Sequence, residues 1–193
     1  MCNETSQKEN TMKWIVIWSF VFVSFLLPLS DESVQAGQKQ DKNLIRNANL
    51  EQGGVKNPPG WRRVQSGTNT STFEVLNWKA YGYGRVLHVK VWEHTSGFAG
   101  WAFKHVPVKP RRTYVWKSTF MNEGASVIRA EFKTRSGKIV TKDLDVLPWH
   151  TMDYWITLTY EFVVPPDAIS VSISHCVTRQ GGILSRNTSL TEK

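Results

Sequence analysis

The residues Thr113–Lys133, TYVWKSTFMNEGASVIRAEFK, decide the fold class. Before Asn122-Glu123-Gly124, Tyr114, Trp116 and Phe120 recur at every second position with Ser118 in the same series, while Val115, Lys117, Thr119 and Met121 take the other parity. After the turn, Ile128, Ala130 and Phe132 alternate with Val127, Arg129, Glu131 and Lys133. A period of two belongs to strands, whose successive side chains point to opposite faces, whereas a helical face repeats every three to four residues. The first set of each segment is therefore expected to be core, and the second to lie outside it.

Working outward, the same alternation recurs in short segments bounded by turn residues. Strands are expected near Leu44–Leu50, Phe73–Leu76, Arg85–Trp92, Gly100–Val106, Thr113–Met121, Ser126–Lys133, Ile139–Asp143, Trp155–Phe162, Ile169–Cys176 and Leu184–Leu190. Gly97, Pro110, Ser136-Gly137, Pro165-Pro166-Asp167 and Gly181-Gly182 punctuate them. In Arg85–Trp92, Leu87, Val89 and Val91 read as core, which turns His88, Lys90 and Trp92 the other way. No segment beyond the N-terminal 36 residues has a helical period over ten or more positions. About ten short strands at this spacing predict an all-β protein, an antiparallel β-sandwich.

The 193 residues suffice for one ordinary core and exclude a large multidomain enzyme. With 40% hydrophobic and 21% charged residues, wholesale disorder is excluded as well. Nine Trp, nine Phe and five Tyr must fill a core or present stacking surfaces.

Trp14–Leu27, WIVIWSFVFVSFLL, is uncharged and precedes Pro28, a polar stretch and Val34-Gln35-Ala36. This pattern predicts a secretory signal over residues 1–36, with Met12 as the start that gives the better basic n-region and cleavage after Ala36. An uncleaved anchor is the alternative, since the apolar run extends to Leu29, and only then would the protein be membrane-bound. Residues 37–42 read as a flexible leader and 43–193 as the domain. Without residues 1–36 the chain keeps 22 basic and 12 acidic residues, a net charge of +10. Such an excess draws polyanions, and export makes nucleic acid the least expected of them. The localisation expected is secreted, cell-surface or periplasmic. Cys176 then stands alone, so no internal disulfide forms, and in an alternating strand it reads as a small buried hydrophobe.

Asn43-Leu44-Ile45-Arg46-Asn47-Ala48-Asn49-Leu50-Glu51-Gln52-Gly53 followed by Gly60-Trp61 resembles the opening of the galactose-binding-like jelly rolls. It is most similar to the carbohydrate-binding modules of families 4, 9 and 22 attached to cellulases and xylanases. Val106–Tyr114, Trp155–Ala168 and Gly182–Leu190 resemble later motifs of the same family in order and spacing, so the resemblance covers about residues 43–191. It implies a jelly-roll fold and polysaccharide binding, with Trp61 and Trp155 as packing positions. It also implies a structural calcium held by first- and last-strand oxygens. Glu51 matches that site, but Arg186 and Asn187 stand where the family has an acidic pair, which weakens it, so no cofactor is expected. Arg111 replaces the usual turn glycine before Thr113-Tyr114.

Sugar rings present C–H faces that pack on aromatic rings, and hydroxyls that need polar partners. Asn77–Gly84, NWKAYGYG, places Trp78, Tyr81 and Tyr83 in a glycine-flanked loop and is the first candidate site. Trp92, Lys117, Arg129 and Glu131, on outward faces of central strands, are the second. Trp149-His150 could rim a site or cover a strand edge. Asp143, Asp145 and Asp153 are not placed as the flanking pair a glycosidase needs. His88, His105, His150 and Tyr154 show no pattern marking them as a set, and no nucleophile elbow, zinc-protease helix or phosphate loop is present. The expectation is an exported, non-catalytic domain that binds polysaccharide, with a basic surface favouring anionic glycans. A secreted interaction or attachment domain and a small polysaccharide-processing enzyme remain the alternatives.

Overall fold

The computed structural model describes residues 42–147, 150–151 and 154–193. The expected signal, the leader through residue 41, Trp149 and Asp153 lie outside the described residues. Eleven strands follow in order: β1 Trp61–Ser66, β2 Asn69–Asn77, β3 Arg85–His94, β4 Phe98–Phe103, β5 Val106–Pro107, β6 Thr113–Glu123, β7 Ser126–Thr134, β8 Ile139–Leu147, β9 Ile156–Val163, β10 Ala168–Val177 and β11 Gly181–Glu192. The front sheet has the order β2-β3-β11-β6-β9; the back sheet runs β1-β4-β10-β7-β8, with β5 added beside β10. Every pairing is antiparallel. The all-β sandwich read from the sequence is therefore the fold, and among the described residues no helix is long and apolar enough to cross a membrane.

The inward parity is the expected one. Leu87, Val89 and Val91 of β3 and Tyr114, Trp116 and Phe120 of β6 meet Ile128, Ala130 and Phe132 of β7 in one buried cluster between the sheets. Burial of each large side chain contributes about 1.5–3 kcal/mol, which lets the domain hold without disulfides. Ring pairs tighten it: Trp61 lies edge-on to Phe103 at 6.4 Å, and Phe162 packs on both Tyr114 and Phe132. The buried indoles of Trp61 and Trp101 donate to the carbonyls of Asn47 and His88.

At one end of the sandwich a polar cluster is enclosed. His175 of β10 is fully buried, with Nε2 3.0 Å from Ser126 Oγ and its ring edge-on to Phe120 at 4.6 Å. Burial pushes its pKa down to about 3, because an imidazolium there would lose its hydration. Cys176 is buried outside the main core, among Val64, Ala102 and Val127 on the outer side of the back sheet. Burial pushes its thiol up to about 11.

The strand expected at Gly100–Val106 is split at Lys104-His105 into β4 and β5, and two further segments differ from expectation. Residues 44–50 form turns instead of a strand, because asparagine side chains supply competing partners. Asn43 Oδ1 accepts from the amides of Ile45 and Leu190, and Asn47 bridges Gln52 and Pro59 while taking a left-handed φ of 55°. The alternation still reported burial, since Ile45 and Leu50 join the core. Conversely, Trp61–Ser66 is an edge strand that its sequence, WRRVQS, conceals, with only Trp61 and Val64 apolar. Arg111 adopts the left-handed φ of 61° that a glycine would take more easily, and its amide bonds the carbonyl of Val164.

Candidate functional site

The outer face of the front sheet carries the opposite parity of β3, β6 and β11. Cross-strand register sets its rows: Glu74, His88, Leu184 and Met121; then Thr72, Lys90, Gly182 and Glu123; and, in the other direction, Arg186, Thr119 and Thr157. Val86, Met121 and Leu184 are buried although they point away from the main core. Trp78, Trp155 and Leu76 pack on them and form a second apolar layer.

The β2–β3 loop is folded to present its rings. The Trp78 amide donates to Gly84 O at 2.7 Å, and the Trp78 carbonyl accepts from Tyr81 and Tyr83. Gly82 and Gly84 take φ of 75° and 71°, which side-chain-bearing residues resist. Trp78 consequently stands 6.1 Å from Tyr81, 6.3 Å from Tyr83 and 6.3 Å from Trp155 between ring centroids, with Tyr83 5.5 Å from Trp155. The Arg186 guanidinium sits 4.6 Å from the Tyr83 ring and 4.4 Å from Trp155. Tyr81 is 73% exposed and Tyr83 38%, so the cluster opens to solvent.

Trp92 lies on the same face, 53% exposed, its Nε1 donating to Thr72 Oγ1 at 3.3 Å and Lys90 Nζ 5.5 Å from its ring. Six residues of strand separate it from Val86, about 20 Å. Between these ends run the Lys90–Glu123 pair and the His88–Glu74 contact at 3.4 Å. Rings at both ends with polar side chains between them suit an extended, hydroxyl-rich chain.

The structure brings Trp78, Tyr81 and Tyr83 together and puts Trp92 and Lys117 on their face. Arg129 and Glu131 instead occupy the outer face of the back sheet, across the sandwich. Consecutive strands β6 and β7 belong to different sheets, and parity alone does not reveal that crossing. Arg129 clamps Asp143 at 2.6 and 3.0 Å and lies 4.5 Å from the Phe98 ring. Their hydrogen bond holds the Asp143 carboxyl below its ordinary range and raises Arg129. Glu131 pairs with Arg62 and lies 3.8 Å from His105 Nε2. Of the His and Asp candidates, His88 is on the front face, His105 on the back, and Asp143 is engaged by Arg129, so they form no set.

Two residues gained a place that sequence reading did not assign. Trp155, expected in the core, is half-buried on the outer front face because it precedes β9 and turns onto Trp78 and Tyr83. Arg186, considered only as a loss to a calcium site, stands among those rings. Glu51 is exposed and 4.0 Å from Lys79, while the nearby carbonyls of Leu50 and Gly53 accept from Arg85 Nη1 at 2.7 and 3.0 Å. Asn187 is exposed at φ 50° in a bulge of β11. Among the described residues, no three His, Cys, Asp or Glu side chains gather in a way that could hold a metal.

The two-sheet antiparallel jelly roll is shared with carbohydrate-binding modules, as solved structures show. The enzymatically active domain of bacteriophage CBA120 tailspike protein 4 superimposes with a TM-score of 0.63 at 17% identity, over 78% of this chain but only 21% of that one. The family 22 xylan-binding domain of Paenibacillus barcinonensis Xyn10C gives 0.52 at 12% identity, over 69% of this chain and 85% of its own. An apo-form cyclase from Fischerella sp. gives 0.54 at 19% identity, over 78% and 95%. A family 4 module and further family 22 modules share the architecture. No protein-family model matches the sequence, and no curated relative does. At these identities the likeness is one of fold.

Proposed function

We propose that this protein is an exported, non-catalytic carbohydrate-binding domain that holds a polysaccharide along the outer face of its front sheet. Stacking on Trp78, Tyr81, Tyr83 and Trp155 would supply most of the affinity, with Trp92 at the far end and Lys117 at the margin. The observation that carries the reading is the open ring cluster built by the β2–β3 loop and the residue ahead of β9. The fold shared with carbohydrate-binding modules supports it. The net charge of +8, or +10 once residues 1–36 are removed, would favour anionic glycans through long-range attraction. The protein is proposed to need no calcium, since the Arg85 guanidinium already satisfies the carbonyls of Leu50 and Gly53.

Affinity electrophoresis against neutral and acidic polysaccharides, at low and high salt, tests this. Retardation that survives salt supports a stacking site. Retardation that vanishes with salt assigns the binding to bulk charge. Release of reducing ends or of unsaturated products from any retarding polymer would replace this reading with an enzymatic one.

A further inference from the structure

We infer that Arg186 forms a subsite for the carboxylate of a uronic-acid residue within the glycan chain, an inference that rests on the front-face reading above. Most lysines around that face have partners: Lys90 pairs with Glu123, Lys193 pairs with Glu161 and Lys79 lies near Glu51. Arg186 and Lys117 have no carboxylate within ion-pair distance among the described residues. The Arg186 Nε is moreover buried with no hydrogen-bond partner.

A partly desolvated guanidinium without an anion is costly, and its contacts with the two rings offset only part of that cost. Tyr83 and Trp155, with ring centroids 4.6 and 4.4 Å from the guanidinium carbon, hold its position, and because Nε is buried, the edge formed by the two Nη groups is the part that a ligand would meet. That edge matches the two oxygens of a carboxylate, the geometry in which arginine binds most strongly. Register places Arg186 opposite Thr119, whose hydroxyl meets that of Thr157 at 2.8 Å. Lys117 lies two residues further along β6, about 7 Å away along the strand, and adds a second uncompensated charge on the same face. A sugar with its ring on the aromatics and its carboxylate on Arg186 would satisfy both features at once. A neutral sugar would offer hydroxyl acceptors but no countercharge.

The test compares the full chain and its Arg186→Gln and Arg186→Lys variants against three probes: polygalacturonate, the same polymer with its carboxyls reduced, and a sulfated galactan. Binding is measured in about 1 M salt, where the screening length of about 3 Å removes diffuse attraction. The wild-type protein is expected to prefer polygalacturonate over the reduced polymer by about tenfold or more, a ratio that Arg186→Gln brings near one and Arg186→Lys restores in part. Equal losses on both polymers would assign Arg186 to holding the rings and overturn the inference. Retention of the sulfated polymer alone would overturn the carboxylate assignment. Binding of the reduced polymer as tightly as the acid would end the inference while leaving the glycan reading intact. Binding of none of the three would overturn the inference, and the glycan reading then stands or falls on the electrophoresis above.

Discussion

Acidification should destabilise this fold through one residue, His175. In the unfolded chain its imidazole titrates near 6.5, but in the folded protein burial holds it near 3. Between these values the unfolded state binds the extra proton, so stability is full above pH 6.5 and falls as pH drops toward 3. Each unit is worth about 1.36 kcal/mol, which predicts a loss of about 2 kcal/mol between pH 6.5 and 5 and about 2 more by pH 3. His105 adds a smaller contribution of the same sign, since burial and Arg62 also lower it, but its ring is partly solvated. The Asp143 carboxylate loses its stabilising pairing only below its own ordinary range, so the window from pH 5 to 6.5 isolates the histidines. Urea unfolding of the wild type and of His175→Gln across that window measures the effect. The variant is expected to be less stable at pH 7, having lost the Phe120 contact, yet to have a flatter dependence on pH. Parallel slopes in the two proteins would refute the argument.

Tyr81→Ala should leave stability within about 0.5 kcal/mol, since the ring is largely exposed, while weakening glycan affinity measurably in affinity electrophoresis. Trp78→Ala with Tyr81→Ala should cost about 2 kcal/mol or more of binding, roughly thirtyfold, and unchanged affinity would remove the loop from the site. Chelator should leave the thermal midpoint unchanged, whereas Arg85→Ala should lower stability by about 1–3 kcal/mol by leaving the Leu50 and Gly53 carbonyls without their donor, measured by calorimetry. Gly97→Ala should destabilise by at least about 1–3 kcal/mol, because φ is 86° and the added methyl would meet the Ser66 carbonyl; an unchanged unfolding midpoint would contradict that geometry.

Alternation in Thr113–Lys133 and Arg85–Trp92 identified the core residues because burial between two sheets imposes a period of two wherever a strand is amphipathic. It failed at residues 44–50, where Asn43 and Asn47 bond the backbone and turn an alternating sequence into a series of turns. It also failed at Trp61–Ser66, an edge strand with little apolar side to show. The ring loop was legible because its glycines and aromatics are adjacent in sequence. The rest of the site was not: Trp155 and Arg186 reach Tyr83 only through the order β3-β11-β6-β9, and parity carries no information on which sheet a strand joins. The same gap grouped Arg129 and Glu131 with Trp92 and Lys117, although they lie on opposite faces.

The most direct test of the front-face account is hydrogen exchange on the full chain with and without a retarding polysaccharide. Protection concentrated in Asn77–Gly84, at the start of β9 and around Arg186 is the result expected. Protection confined to the back sheet around Arg129 and Glu131, with the ring cluster unchanged, would contradict it.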